Sequence, residues 1–307
     1  MQHRRLAIGG VALAAALTAY LLIAPRPLPA RELAPGYTPD LVNGAVLFNA
    51  GNCSACHMTP DQEDRFQLGG GRRLESPFGA FLAPNISPDR KTGIGDWSEL
   101  SFVSAMKRGV GRKGEHLYPA FPYAAYSRMT TKDVRDLFAY LKTLPPVSRA
   151  NQDHSLYAPF NVRMTVGVWK LLYFRPRTIE SDPTRSSAWN RGRYLAEGPA
   201  HCAECHTPRD ALGGPDDDRL YAGAPSLEAG GRFATNITPH PDGIGDWTVG
   251  DIADFLKTGT DKCFNEPVGM REVLESTSRY TDEDLAALST YIHALPSRAG
   301  NRDKKAC

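Results

Sequence analysis

The chain carries almost no excess charge. Its 36 lysines and arginines stand against 34 aspartates and glutamates, a net of +2 over 307 residues. Such a balance gives no support to nucleic-acid binding, which leaves a basic footprint. The sequence also lacks a convincing alternation of apolar and polar residues, so half-buried strands are not expected. No pair of catalytic carboxylates, nucleophile triad or phosphate-cradling glycine loop stands out. Cysteine and methionine are scarce, at six residues each. What remains is an ordinary globular composition, 41% hydrophobic and 23% charged, at a length that suits two domains.

One long apolar run is present. Arg4 and Arg5 precede an uncharged stretch from Leu6 to Ala24, 19 residues, or about 28 Å as a helix. That is close to the thickness of a bilayer core, about 30 Å. The positive flank would stay in the cytoplasm and the rest would be exported. A cleaved signal peptide is the alternative. The run is long for that role, and Pro25 to Ala30 is a poor cleavage site. The expectation is an N-terminal transmembrane helix anchored in the inner membrane, with the remainder in the periplasm.

The scarce cysteines are not scattered. Cys53-Ser-Ala-Cys56-His57 recurs as Cys202-Ala-Glu-Cys205-His206, at an offset of 149. Asn85-Ile86-Ser87-Pro88 recurs as Asn236-Ile237-Thr238-Pro239, at 151, and Gly93-Ile94-Gly95-Asp96-Trp97 as Gly243-Ile244-Gly245-Asp246-Trp247, at 150. Leu144-Pro145 recurs as Leu295-Pro296, again at 151. Four blocks in one order at nearly one offset mean two copies of one domain. The division is 1–30, an anchor or signal segment; 31–145, the first domain; 146–187, a connector; 188–300, the second domain; and 301–307, a tail. The connector is rich in apolar residues, among them Val166, Trp169, Leu171 and Leu172. It reads as an ordered segment packed on the domains, with a hydrophobic patch for a partner or the membrane surface as the other reading. Cys263 and Cys307 are left over, and can be paired in an oxidising compartment or free.

Each copy reads as helices joined by long loops. A first helix follows Thr38-Pro39, with Pro39 at its first position, and ends near Gly51. Its counterpart runs from about 188 to 197 and stops at Gly198. Middle helices span 98–108 and 248–257, with Gly109 and Gly259 where a helix end favours glycine. Val134, Leu137, Phe138 and Leu141 line one face of the last helix of copy one, and Leu285, Leu288, Ile292 and Leu295 that of copy two. Thr281-x-x-Asp284 resembles a capping box. The predicted class is all-α.

Cys-x-x-Cys-His has a physical logic. Two thiols three positions apart lie on one side of a helical turn and can form thioethers to the two vinyl groups of one haem. The adjacent histidine then supplies an iron ligand. A zinc site needs four ligands, and a redox Cys-x-x-Cys does not need the histidine. Occurring twice in duplicated helical domains, the motif predicts two covalently bound haem c groups. One is held by Cys53, Cys56 and His57, the other by Cys202, Cys205 and His206.

With these residues in view, the two copies resemble cytochrome c domains. The whole chain after the first helix resembles the dihaem cytochrome c subunits of membrane-bound alcohol, aldehyde and gluconate dehydrogenases. The resemblance rests on Pro84-Asn85-Ile86-Ser87-Pro88, the two Gly-Ile-Gly-Asp-Trp blocks, His116 to Tyr123, and His201 to Arg209. It implies two tandem cytochrome c domains behind the N-terminal transmembrane helix. It also implies electron transfer from a periplasmic dehydrogenase to a quinone, a soluble cytochrome or an oxidase of the respiratory chain. The chain itself would not be an enzyme.

The sixth iron ligand decides between a closed carrier and an open, reactive haem. Met270 is the sole methionine after the second motif, in a loop ahead of the last helix, and is assigned as ligand. In copy one many relatives have methionine where this chain has Phe121. Met129 is then the first choice, His116 the second, and an open iron the third. The last case keeps alive an enzyme of the dihaem peroxidase or thiosulfate dehydrogenase type. Met106 reads as core, and Met58 as directed elsewhere. Trp97, Trp247, Asn85 and Asn236 either meet haem propionates and the methionine loop or scaffold their own loops. Arg72, Arg73 and Arg232 either neutralise propionates or are solvated.

Overall fold

In the computed structural model, residues 2–225, 233–261 and 269–300 are described, together with the side chains of the first helix at 8 and 10–23. Cys263, Cys307 and Arg232 lie outside the described residues. The first half contains α1 (Gln2–Ile23), α2 (Leu41–Ala50), α3 (Cys53–His57), β1 (Arg73–Ser76), β2 (Gly79–Leu82), α4 (Glu99–Arg108), α5 (Tyr123–Tyr126) and α6 (Thr131–Leu141). The connector contributes β3 (Ser155–Leu156) and α7 (Thr165–Tyr173). The second half repeats the plan with α8 (Ser187–Glu197), α9 (Ala203–His206), β4 (Ala224–Pro225), β5 (Phe233–Ala234), α10 (Val249–Thr258), α11 (Arg271–Thr277) and α12 (Asp282–His293).

The helix ends follow local chemistry. Ser98, Thr130, Ser186 and Thr281 each accept a backbone N–H at a helix start. Gly109 (φ 58°) and Gly259 (φ 77°) close α4 and α10 in the left-handed region, as expected. Two details differ from expectation. Asp40, not Thr38, caps α2, accepting from Val42 and Asn43 N–H, so Pro39 lies outside the helix. Among the described residues the complete capping box is Thr248–Asp251. At Thr281 only half a box forms, because the Asp284 carboxylate turns to Arg191, at 2.7 and 2.9 Å.

The fold is mixed rather than all-α. An antiparallel hairpin, β1–β2, pairs Ser76 with Gly79 and Arg73 with Leu82, and β3 adds to the far edge of β2. A second, two-stranded ribbon joins β4 and β5. These strands are two to four residues long, too short for alternation to register. The third strand comes from the connector, so its pairing is a long-range event.

The N-terminal anchor is also corrected. Among the described residues no helix is long and apolar enough to cross a membrane. The end of α1 is instead docked on the protein: Ile23 O accepts from His116 Nε2 at 2.7 Å, and Gly167 of α7 lies against Ile23. The inner-membrane localisation that rested on a transmembrane helix, with the haem domains held by it in the periplasm, is overturned with it. The connector is packed only in part. Val166 and Gly167 are buried, whereas Tyr157, Val162, Val168, Leu171 and Leu172 are exposed.

Two hydrophobic clusters form the core. The first gathers Leu47, Phe48, Leu68, Phe102, Met106, Met129, Leu137 and Phe138, with Cys53, Trp97 and Phe121 packed on it. The second gathers Leu195, Tyr221, Ile252, Leu256, Tyr280, Leu288 and Tyr291, with Cys202 and Trp247 packed on it. In each half the first helix crosses the last at a glycine. A Cβ at Gly44 would lie 2.4 Å from Asp136 O, and one at Gly192 1.9 Å from Ala287 O. Asp136 is buried at the first crossing and is satisfied there by Tyr37 Oη, Asp40 N and Asn43 Nδ2.

Candidate haem-binding sites

The two Cys-x-x-Cys-His segments occupy matching places. Each follows a residue in the left-handed region, Asn52 (φ 47°) and His201 (φ 40°), that turns the chain from the first helix into the motif. Cys53 and Cys56 flank one helical turn in α3, and Cys202 and Cys205 do the same at α9. Burial, followed by the charge of its partner cysteine, pushes the thiols of Cys53 and Cys202 up to about 12. Thiolate is therefore disfavoured at both, whereas a neutral thioether carries no such cost.

The two motif histidines share one geometry. His57 Nδ1 donates to Pro84 O at 2.8 Å, and His206 Nδ1 donates to Thr235 O at 2.7 Å. Burial lowers the pKa of both rings, so they are neutral. A neutral imidazole with its proton fixed on Nδ1 presents Nε2 as the basic nitrogen, the form that ligates a metal. The donor set of two thiols and one oriented imidazole per half fits a covalently attached haem.

This geometry explains the repeated asparagines. Pro84 and Thr235 immediately precede Asn85 and Asn236. Asn85 Nδ2 donates to Val147 O at 2.7 Å and its Oδ1 accepts from Ser87 N at 2.9 Å. Asn236 Nδ2 donates to Arg298 O at 2.8 Å and its Oδ1 accepts from Thr238 N at 2.9 Å. Both amides are engaged by their own chain and hold the loop whose preceding carbonyl orients the histidine. The scaffolding reading applies to them. Trp97 and Trp247 likewise pack on the two clusters. Arg72 donates to Ala55 O and pairs with Glu272 at 2.9 Å, and Arg73 pairs with Glu75.

The methionines are placed differently. Met129 is buried in the first cluster, in the turn between α5 and α6, and Cys53 packs on the same cluster. Met270 is half-buried at the start of α11. By the repeat, Met129 corresponds to Tyr280, and Met270 to Pro119, so the two do not occupy matching positions. His116 is buried with Nε2 bonded to Ile23 O. Met106 is core, as expected.

The halves meet close to both motifs. Ser276 Oγ donates to Asn52 Oδ1 at 2.6 Å and Tyr280 Oη to Ala50 O at 3.2 Å. The Tyr126 ring stands edge-on to His201 at 5.6 Å. These contacts gave no signal in the sequence, because their partners lie in different repeats.

Comparison with known proteins agrees with this construction. Residues 41–145 match the Cytochrome c family. A diheme cytochrome c-type protein of Cereibacter sphaeroides is 43% identical over 270 residues, covering 87% of this chain and 89% of its own. The fructose dehydrogenase cytochrome subunit of Gluconobacter japonicus is 37% identical over 294 residues, 93% of this chain and 60% of its own. The gluconate 2-dehydrogenase cytochrome c subunit of Pantoea cypripedii is 34% identical over 270 residues, 83% of this chain and 59% of its own. The chain thus spans about six tenths of the length of these two dehydrogenase subunits. With two motifs, two oriented histidines and a near full-length dihaem relative, this chain belongs to the dihaem c-type cytochromes, electron-transfer proteins with two covalently bound haem c groups.

Proposed function

We propose that this cytochrome takes electrons from a dehydrogenase and passes them to a quinone, a soluble cytochrome or an oxidase, without being an enzyme itself. Two of its relatives are named as cytochrome subunits of dehydrogenases. Residues 31–145 and 188–300 act as the two haem domains, with 146–187 between them. Cys53, Cys56 and His57 hold haem one, and Cys202, Cys205 and His206 hold haem two. The observation that carries this assignment is the repeated Nδ1–carbonyl bond at His57 and His206. Bound haem c supplies a one-electron Fe(III)/Fe(II) couple; the chain attaches it and fixes the ligand tautomer.

Met129 and Met270 are the sixth ligands in this reading. A thioether closes the coordination sphere and raises the potential, which suits a carrier. Met129 sits in the cluster on which Cys53 packs, whereas the Nε2 of its rival His116 is engaged by Ile23 O. Carbon monoxide tests this. The ferrous, fully loaded protein should not bind it, and Met129→Ala should take up one carbon monoxide per two haems. Binding by the wild type at haem one would put an open, reactive iron in place of the carrier reading. Met270→Ala is expected to open haem two in the same way and to lower its potential, followed by redox titration. An unchanged potential with no ligand uptake would remove Met270 from the assignment.

A further inference from the structure

The turn that carries Met129 is held by Lys107 of its own half, by the connector and by the second half. Met129 N donates to Tyr126 O at 3.1 Å, an ordinary local bond. Arg128 N to Ala125 O at 2.9 Å and Ser127 Oγ to Ala124 O at 2.8 Å are local too, and further bonds reach in from distant segments. Lys107 Nζ donates to Ser127 O at 3.1 Å, to Met129 O at 2.5 Å and to Thr178 Oγ1 at 3.3 Å. Ile179 N of the connector donates to Arg128 O at 2.9 Å. From the second half, Tyr194 Oη accepts from Thr130 N at 3.0 Å and donates to Asp133. Arg128 pairs with Glu197 at 2.5 Å, and Glu197 is itself held by Tyr291 Oη at 2.6 Å and by Arg193 at 3.2 Å. Gly198, the residue after α8, lies close to the Met129 side chain: a Cβ there would be 3.5 Å from Met129 Cγ.

Lys107 is 8% exposed, and a buried ammonium is tolerated only when its donors are met. Here three acceptors meet them, and two are carbonyls of the Met129 turn. The duplication provides an internal comparison. Lys257 stands at the matching place on α10, and 278–281 matches the Met129 turn with Tyr280 in place of the methionine. Lys257 is 44% exposed and reaches Tyr280 O at 3.4 Å and Asp282 at 3.5 Å. The same lysine is buried and tightly bonded in the copy whose turn carries a methionine, and loose in the copy whose turn does not.

We propose that Lys107, with Tyr194 and Glu197 of the second half, clamps the turn that seats Met129 on the iron of haem one, so that ligation in the first domain depends on docking of the second. This rests on Met129 being the sixth ligand. Lys107 and Glu197 are positioning residues: they act on the turn and leave the iron to the thioether. Release of the interface would then expose haem one while haem two keeps its own ligand.

The test uses the full-length, haem-loaded protein, with carbon monoxide uptake by the ferrous form and the potential of each haem as readouts. Lys107→Met keeps the length of the side chain and removes the donors. It should raise uptake from none to one carbon monoxide per two haems and lower the potential of haem one alone, while two haems stay covalently bound. Glu197→Gln, a milder change, should shift the same haem in the same direction, and Lys107→Arg should restore the wild-type behaviour in part. Lys257→Met should leave both haems unchanged. If Met129→Ala opens haem one but Lys107→Met and Glu197→Gln leave ligand uptake and both potentials as in the wild type, the clamp is overturned and the ligand assignment survives. If Met129→Ala itself changes nothing, the ligand assignment fails and the clamp with it. A shift of both haems together in Lys107→Met would mark general loosening and would also overturn the proposal.

Discussion

Replacing both Cys202 and Cys205 with serine is expected to leave one covalently bound haem per chain instead of two. Cys202 packs on the second hydrophobic cluster, whose members include Leu195, Tyr221 and Tyr280. The helix that carries the motif, α9, is four residues long, and so short a helix has almost no stability of its own. Its place depends on what its side chains are attached to. Thioether bonds also convert a buried thiol into a neutral apolar group that suits the cluster. Without them the second half should lose apolar burial as well as cofactor, and its denaturant midpoint should fall. Haem stoichiometry, measured from the haemochrome spectrum after acid extraction, and protein mass check the first effect. Two haems surviving extraction would show that Cys202 and Cys205 do not attach one. The same change at Cys53 and Cys56 should remove the other haem.

Gly192→Ala should weaken the second half by about 2 kcal/mol, within the usual range for forcing an extra methyl into a packed core. The added Cβ would lie 1.9 Å from Ala287 O, 2.6 Å from Ala287 C and 2.8 Å from Tyr291 Cβ. Two of these are backbone atoms and cannot rotate away, so α8 and α12 must separate. The gain in helix propensity from glycine to alanine, about 1 kcal/mol, offsets only part of that cost. Gly44→Ala in the first half meets Asp136 O at 2.4 Å and Tyr140 Cβ at 2.6 Å and should behave alike. Both are read from denaturant midpoints of the loaded protein. Unchanged midpoints would mean that the helices tolerate wider spacing than their contacts indicate. Because Tyr291 Oη bonds Glu197, a shift of α12 should also disturb the Arg128–Glu197 pair.

The comparison of sequence and structure divides along the range of the interactions. The chemistry of this protein is written locally. Cys-x-x-Cys-His brings two thiols and an imidazole together within five consecutive residues, and the repeat at a nearly constant offset shows two such sites without any knowledge of the fold. Helix ends were legible for the same reason: Ser98, Thr281, Gly109 and Gly259 act on backbone groups within a few residues of themselves. The capping box at Thr281 misled because Asp284 has a stronger partner in Arg191, which is 93 positions away. The strands escaped because they are too short to carry a period, and β3 finds β2 only once the connector has folded back. The apolar run at the start read as a membrane span from its composition. The docking of Ile23 against His116 and Gly167 was not visible in that composition.

What the tertiary structure alone decided is how the sites are held. Pro84 O and Thr235 O orient His57 and His206 across 27 and 29 residues. Lys107 reaches the Met129 turn 20 residues on and Thr178 at 71, and Tyr194 reaches Thr130 at 64. A linear sequence records which groups are available, because covalent spacing places near neighbours. It does not record which distant donor meets which distant acceptor, because that pairing exists only after the packing of apolar faces has brought distant segments together.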